Sequence, residues 1–152
     1  MGINVEKSVM INKPAEELYR FWRNFENLPR FMNHLQSVEI LDDKRSHWIT
    51  KAPLGNSVQW DAEITDEQEN QFIAWRSLPG ADVNNTGSVE FYRKSGGDIT
   101  EVKVRMEYNP PGGMVGAVVA TIFGESPDRQ LEEDLWRFKQ EVETGAMTST
   151  KG

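Results

Sequence analysis

The chain has 152 residues, 38% of them hydrophobic and 27% charged, a balance that fits one globular domain with its own core and excludes a disordered or membrane-embedded chain. Its formal net charge of -7 sets an acidic surface against phosphate backbones, so no nucleic acid is expected as a partner. There is no cysteine and therefore no disulfide or thiol chemistry, and the longest low-charge run, residues 114–123, is about half of the ~20 residues an integral membrane segment needs.

The N-terminus lacks the basic start and apolar core of a signal peptide, and the expected location is cytoplasmic. Val5, Val9 and Ile11 share one parity and predict a first strand over residues 3–11. Asn12-Lys13-Pro14 breaks it, and Pro14-Ala15-Glu16-Glu17 opens a helix with proline in the first turn and two acids at its positive end. Leu18, Phe21, Trp22 and Phe25 give that helix its apolar face. Pro29 removes a helix hydrogen bond, so a second short helix over about residues 28–34 is predicted rather than one long one.

From Val38 onward the hydrophobic period changes to two. Val38 and Ile40 begin a strand, Asp42-Asp43-Lys44 turns, and residues 46–52 return. Val58, Trp60, Ala62 and Ile64 alternate with Gln59, Asp61, Glu63 and Thr65, the mark of an antiparallel strand with one buried face. Residues 71–78 form the next strand with ambiguous parity: Phe72 and Arg76 lie on one side, Ile73 and Trp75 on the other. A polar loop over 79–85 leads to strands 88–94 and 101–109, joined by a turn at Gly96-Gly97-Asp98. Leu131, Leu135, Phe138 and Val142 then mark one face of a long helix, with Ser126 as N-cap, Pro127 in its first turn and Gly145 as its stop. One sheet layer must bury its apolar face, and this helix is its large partner. The prediction is an α+β domain over 1–145, a curved antiparallel sheet of about six to seven strands around the C-terminal helix, with 146–152 a flexible tail.

Four runs carry a resemblance: Ile11-Asn12-Lys13-Pro14-Ala15-Glu16-Glu17-Leu18-Tyr19, Phe25-Glu26-Asn27-Leu28-Pro29-Arg30-Phe31-Met32, Val58-Gln59-Trp60-Asp61-Ala62 and Leu135-Trp136-Arg137-Phe138-Lys139. With the element order, they resemble the START-like, Bet v 1-like (SRPBCC) superfamily, and within it the polyketide cyclase/dehydrase and coenzyme Q-binding protein group. The resemblance implies a helix-grip fold with an apolar cavity between sheet and long helix. It implies binding or carriage of a lipid, quinone or polyketide-like molecule, and for a minority of members cyclisation or dehydration of polyketides. Trp60 matches an aromatic strand position of the cyclases, but no motif places their acid, base or arginine.

The inward parities nominate Trp60, Ala62, Trp75, Val89, Phe91, Val104, Met106 and Tyr108 as cavity lining from the sheet. Phe31 and Met32 join them from the short helices, and Val115, Val118, Val119 and Ile122 from the segment before the long helix. Large sheet residues facing small ones leave room for a small hydrophobic ligand, although the same residues also serve as plain core. Three polar groups are the candidates for chemistry. Tyr108 is a phenol that needs a partner if buried. Arg76 would anchor a carboxylate or ketone oxygen if it points inward, and pairs with Asp61 or Glu63 if it points outward. His34 would do acid–base work near the cavity mouth. Two histidines without cysteine give no zinc spacing, so neither metal nor cofactor is expected, and the glycines at 112–116 follow an antiparallel strand and make no phosphate loop. The acidic run Glu132-Glu133-Asp134 is expected on a solvated helix face. A ligand carrier is the leading expectation, a polyketide cyclase/dehydratase the enzymatic alternative. A stress-linked protein-interaction module using exposed Trp22, Tyr92 or Trp136 is the third.

Overall fold

Alternating sequence becomes strand along most of this chain, and the strands close on one another. The computed structural model describes residues 3–50, 57–94, 96–109 and 126–144. Strand β1 (Ile3–Ile11) leads into helix α1 (Ala15–Arg23) and a 3-10 helix (Phe25–Arg30). Then follow β2 (Leu35–Ile40), β3 (Arg45–Thr50), β4 (Gln59–Gln68), β5 (Phe72–Ser77), β6 (Asn84–Arg93), β7 (Thr100–Asn109) and the long helix α2 (Pro127–Glu143). The seven strands form one antiparallel sheet in the order β1-β7-β6-β5-β4-β3-β2. Strands β2 to β7 pair with their sequence neighbours, and β1 adds to the far side beside β7. This is the expected curved sheet with a C-terminal helix.

The curl of the sheet can be read from two side chains. Trp60 on β4 and Tyr108 on β7 are three strand intervals apart, about 14 Å across a flat sheet at ~4.8 Å per interval. Their ring centroids nevertheless lie 6.2 Å apart, which requires a sheet bent towards the face from which both rings project. Gly87 helps the interior close: a Cβ there would sit 2.5 Å from Trp75 Cζ2, so only glycine lets that indole lie flat on β6. Ile73 and Trp75 are both buried, which resolves the parity of β5.

Helix α2 starts where its sequence says it should. The Ser126 hydroxyl accepts the Arg129 N–H at 3.3 Å, and Pro127 occupies the first turn. Its buried stripe is Leu131, Leu135, Phe138 and Val142, each such side chain worth roughly 1.5–3 kcal/mol on leaving water. Phe138 meets Phe21, Trp22 and Phe31 with ring centroids at 5.7, 5.2 and 4.9 Å, tying α2 to both short helices. At its C-terminal end Lys139 donates to the Met10 carbonyl at 2.7 Å, and Glu143 accepts the Asn12 N–H at 2.7 Å.

Three local expectations need correction. The second short helix is a 3-10 helix over Phe25–Arg30, not a helix over 28–34. Asn24 caps it by accepting the Glu26 N–H at 3.3 Å, so it begins earlier, and Pro29 sits inside it. Strand β6 begins at Asn84 rather than 88: the buried Asn85 is satisfied by Ser77 Oγ at 3.0 Å and the Val83 carbonyl at 2.9 Å, which lets a polar residue enter the sheet. Trp22 is fully buried between α1 and α2, because α1 is covered on two sides and buries a wider face than one stripe.

Candidate functional site

The concave face carries an aromatic layer. Trp48 and Trp60, directly opposite on β3 and β4, stack at 5.9 Å, and Trp48 also stacks on Trp75 at 6.0 Å. Phe25 from the 3-10 helix meets Trp48 and Trp75 edge-on at 5.5 and 5.2 Å. Tyr108 closes the layer against Trp60. Ala62, Val89, Phe91, Val104 and Met106 are buried on the same face, and Phe31 and Met32 are fully buried behind the 3-10 helix. Val115, Val118, Val119 and Ile122 lie outside the described residues, as do Gly145 and the tail.

Polar atoms in this apolar surround stand out by their bonding. Trp48 Nε1 donates to Ser46 Oγ at 2.8 Å. Trp60 Nε1, equally buried, has no acceptor among the described residues. The Tyr108 hydroxyl donates to Met106 Sδ at 3.7 Å, a weak bond. Burial, and secondarily the charge of Asp134, push the Tyr108 phenol far above its ordinary range.

Asp134 is the residue that the sequence reading missed. It is completely buried, not part of a solvated acidic face. Its Oδ1 accepts from Gln130 Nε2 at 2.8 Å and from the Asn33 N–H at 3.4 Å, and pairs with Arg137 Nη2. Arg137 Nε in turn donates to the Phe31 carbonyl at 3.1 Å, so the ion pair also pins the segment after the 3-10 helix. The second oxygen, Oδ2, receives no hydrogen bond among the described residues and lies 3.8 Å from His34 Nδ1. Burial raises the carboxyl to about 6, against the opposing pull of Gln130, Arg137 and Asn33. A signal was present in the sequence: Asp134 lies three residues after Leu131 and four before Phe138, on the same helix face.

The three candidates for chemistry separate. Tyr108 and His34 are buried; His34 Nδ1 lies 3.8 Å from Asp134 Oδ2, and the Asp134 charge helps raise the Tyr108 phenol. Arg76 lies on the outer face, 60% exposed along its side chain, with Nε and Nη2 donating to Glu63 Oε2 at 3.2 and 3.1 Å. It is excluded from the interior because β5 turns Ile73 and Trp75 inward, which sends Arg76 outward. A groove of about 440 Å³ runs beside it, lined by Arg105, Thr86 and Ser88 among others, but Arg105 is tied to Glu6 at 3.0 Å. His47 is also on the outer face, with Nδ1 2.6 Å from Asp61 and Nε2 3.1 Å from Gln59. Tyr92 and Trp136 are exposed, at 41% and 59%, as expected.

Comparison with known proteins places this geometry. The sequence profile of the polyketide cyclase/dehydrase and lipid transport family matches residues 11–147, most of the chain. The chain belongs to that family. A crystal structure of a family-sized protein from Deinococcus radiodurans is 46% identical, with a TM-score of 0.78, covering 94% of this chain and 98% of the other. An aromatase/cyclase from a Streptomyces species, Zhui, shares the fold at 17% identity and a TM-score of 0.71, over 99% of both chains. A START superfamily protein from Mycobacterium smegmatis shares it at 18% identity and a TM-score of 0.68, over 93% and 97%. The curled seven-stranded sheet and C-terminal helix are thus the helix-grip fold of this family. No helix among the described residues is long and apolar enough to cross a membrane.

Proposed function

We propose that this family member binds a small hydrophobic or amphipathic molecule against the concave aromatic layer. The observation that carries the reading is the contact between Trp60 and Tyr108 across three strand intervals, because it makes a continuous aromatic wall inside a curled sheet. Phe31, Met32, Ala62, Trp75, Val89, Phe91, Val104 and Met106 extend that wall, and Val115, Val118, Val119 and Ile122 are proposed to face it. An apolar surface with few polar groups suits a lipid-, quinone- or polyketide-like guest. Native mass spectrometry of the purified protein, followed by solvent extraction, tests this. A bound small molecule is expected; a protein that is empty and takes up no apolar probe overturns the reading.

One observation favours a second reading, an aromatic polyketide cyclase/dehydratase: His34 Nδ1 lies 3.8 Å from the buried Asp134, whose charge also bears on the buried Tyr108 phenol. A carboxyl, an imidazole and a phenol together supply the groups needed to move protons on a bound ketone. Incubation with a poly-β-keto thioester distinguishes the two readings. Cyclised product that disappears in His34→Gln and Tyr108→Phe supports catalysis; unchanged substrate leaves carriage alone.

A further inference from the structure

The apolar stripe of α2 has a polar twin. Gln130, Asp134, Arg137 and Glu141 repeat the spacing of Leu131, Leu135, Phe138 and Val142 one residue earlier, and so form a second stripe beside the first. This polar stripe holds the segment between the 3-10 helix and β2. Glu141 pairs with Arg30 at 3.5 Å, and the two central residues grip main-chain groups. Arg137 Nε donates to the Phe31 carbonyl at 3.1 Å, and Asp134 Oδ1 accepts the Asn33 N–H at 3.4 Å. Those groups belong to the peptide units on either side of Met32. The two holders also pair with each other through Arg137 Nη2 and Asp134 Oδ1, so a single ion pair brackets one residue. The Met32 N–H donates to the Leu28 carbonyl at 2.9 Å, and the Met32 carbonyl accepts the Leu35 N–H at 3.1 Å. All four polar groups of the flanking peptide units are therefore bonded, which fixes both backbone dihedrals of a fully buried methionine.

We infer that the Asp134–Arg137 pair is a positioning device for Met32, and that through Met32 it sets the size of guest the aromatic site accepts. The inference rests on the binding reading above, in which Met32 belongs to the wall. Methionine is unbranched and flexible, so its side chain alone would adapt to guests of many shapes. Fixing the backbone on both sides removes part of that freedom and gives the wall a set position. The fork of an arginine is needed for this. One planar guanidinium reaches the carboxylate through Nη2 and the Phe31 carbonyl through Nε at once, which the point charge of a lysine does not reproduce. The role also accounts for a carboxylate kept at 0% exposure, since a buried pair adds little net stability and is retained for the one arrangement it specifies.

The test reads guest selectivity rather than stability. The full chain is titrated by fluorescence with naphthalenemethanol, anthracenemethanol and pyrenemethanol, neutral probes that differ in ring area. Wild type should prefer one size over the next. Arg137→Lys keeps a charge beside Asp134 and gives up the bond to Phe31. It should flatten that preference on the order of tenfold, the low end of what one methylene decides in an apolar pocket. Met32→Ala should shift the preference towards larger probes, and in that background Arg137→Lys should change nothing further, because the side chain it positions is gone. Glu141→Gln removes only the ion pair with Arg30 and should leave the preference as it is. A merely structural role weakens all three probes in proportion. If that is seen, if wild type takes all three alike, or if the Arg137→Lys effect persists in Met32→Ala, the positioning role is wrong while the hydrophobic site stands. If wild type binds none, the binding reading fails and this inference falls with it. Should Arg137→Lys not fold, Asp134→Asn takes its place with the same outcomes, since a neutral amide holds the guanidinium and the Asn33 N–H less firmly than a carboxylate.

Discussion

Replacing Asp134 by asparagine keeps the shape of the side chain and removes its charge, so wild type and variant should differ in how their stability follows pH. In the fold the carboxyl titrates at about 6, against 3.8 in an ordinary environment. Below the lower value both states hold the proton and the raised folded value costs nothing. As pH climbs towards 6 the unfolded chain ionises first, the buried site resists, and wild type loses stability that the variant keeps. The gap opens by about 3 kcal/mol, roughly two pH units at ~1.4 kcal/mol each. No discount for solvent applies, because the Asp134 side chain is 0% exposed. That is a large share of the ~5–15 kcal/mol typical of a domain. Equilibrium urea unfolding of both proteins, from about pH 4 to about pH 8, reads the difference, and groups common to both largely cancel. The ion pair with Arg137 exists only while Asp134 is ionised, and its pull is already part of the carboxyl's value, so it adds no separate pH-independent gap. Parallel stability curves, or a gap that closes as pH rises, would refute the claim that this carboxyl is buried at a cost.

Further predictions concern packing and the outer face. Phe138→Ala removes a fully buried ring that touches three others and should cost about 3–5 kcal/mol in urea unfolding, with the m-value unchanged. Gly87→Ala forces the Trp75 indole aside and should cost about 1–3 kcal/mol, together with a changed Trp75 near-ultraviolet signal. His47 should titrate above its ordinary 6.5 by NMR, held up first by the hydrogen bond it donates to Asp61, and Asp61→Asn should return it towards that value. Its contribution to stability is full below 6.5 and is lost as pH rises through the raised value, so the variant and wild type should converge at alkaline pH.

The residues that followed one rule were legible in the sequence. β1 spans Ile3–Ile11 as its parity predicts, β4 keeps its alternation from Trp60 to Ile64, and the Leu131–Leu135–Phe138–Val142 stripe is the buried face of α2. What escaped were positions where tertiary context overrides local pattern. Asp134 has the composition of a solvated face and the spacing of a buried one, and spacing wins because Arg137, Gln130 and Asn33 supply partners for one of its oxygens. The polar start of β6 looks like loop until Ser77 and the Val83 carbonyl satisfy Asn85. Arg76 is ambiguous in the sequence because β5 has large side chains on both faces, and pairing with β4 and β6 fixes which is inward. Periodicity gives the buried face of the sheet; the contact of Trp60 with Tyr108 emerges only when the sheet curls.

The claim on which the account rests is that an apolar guest lies inside the sheet, against Trp60 and Tyr108. Photolabelling with a neutral alkyl diazirine, followed by tandem mass spectrometry of the digested protein, locates the guest directly. The expected labels fall on the β4 and β7 peptides that carry Trp60, Met106 and Tyr108, and an excess of long-chain alcohol suppresses them. Labels confined to exposed apolar residues such as Trp136, Leu41 and Met10, with the β4 and β7 peptides unmodified, would contradict it.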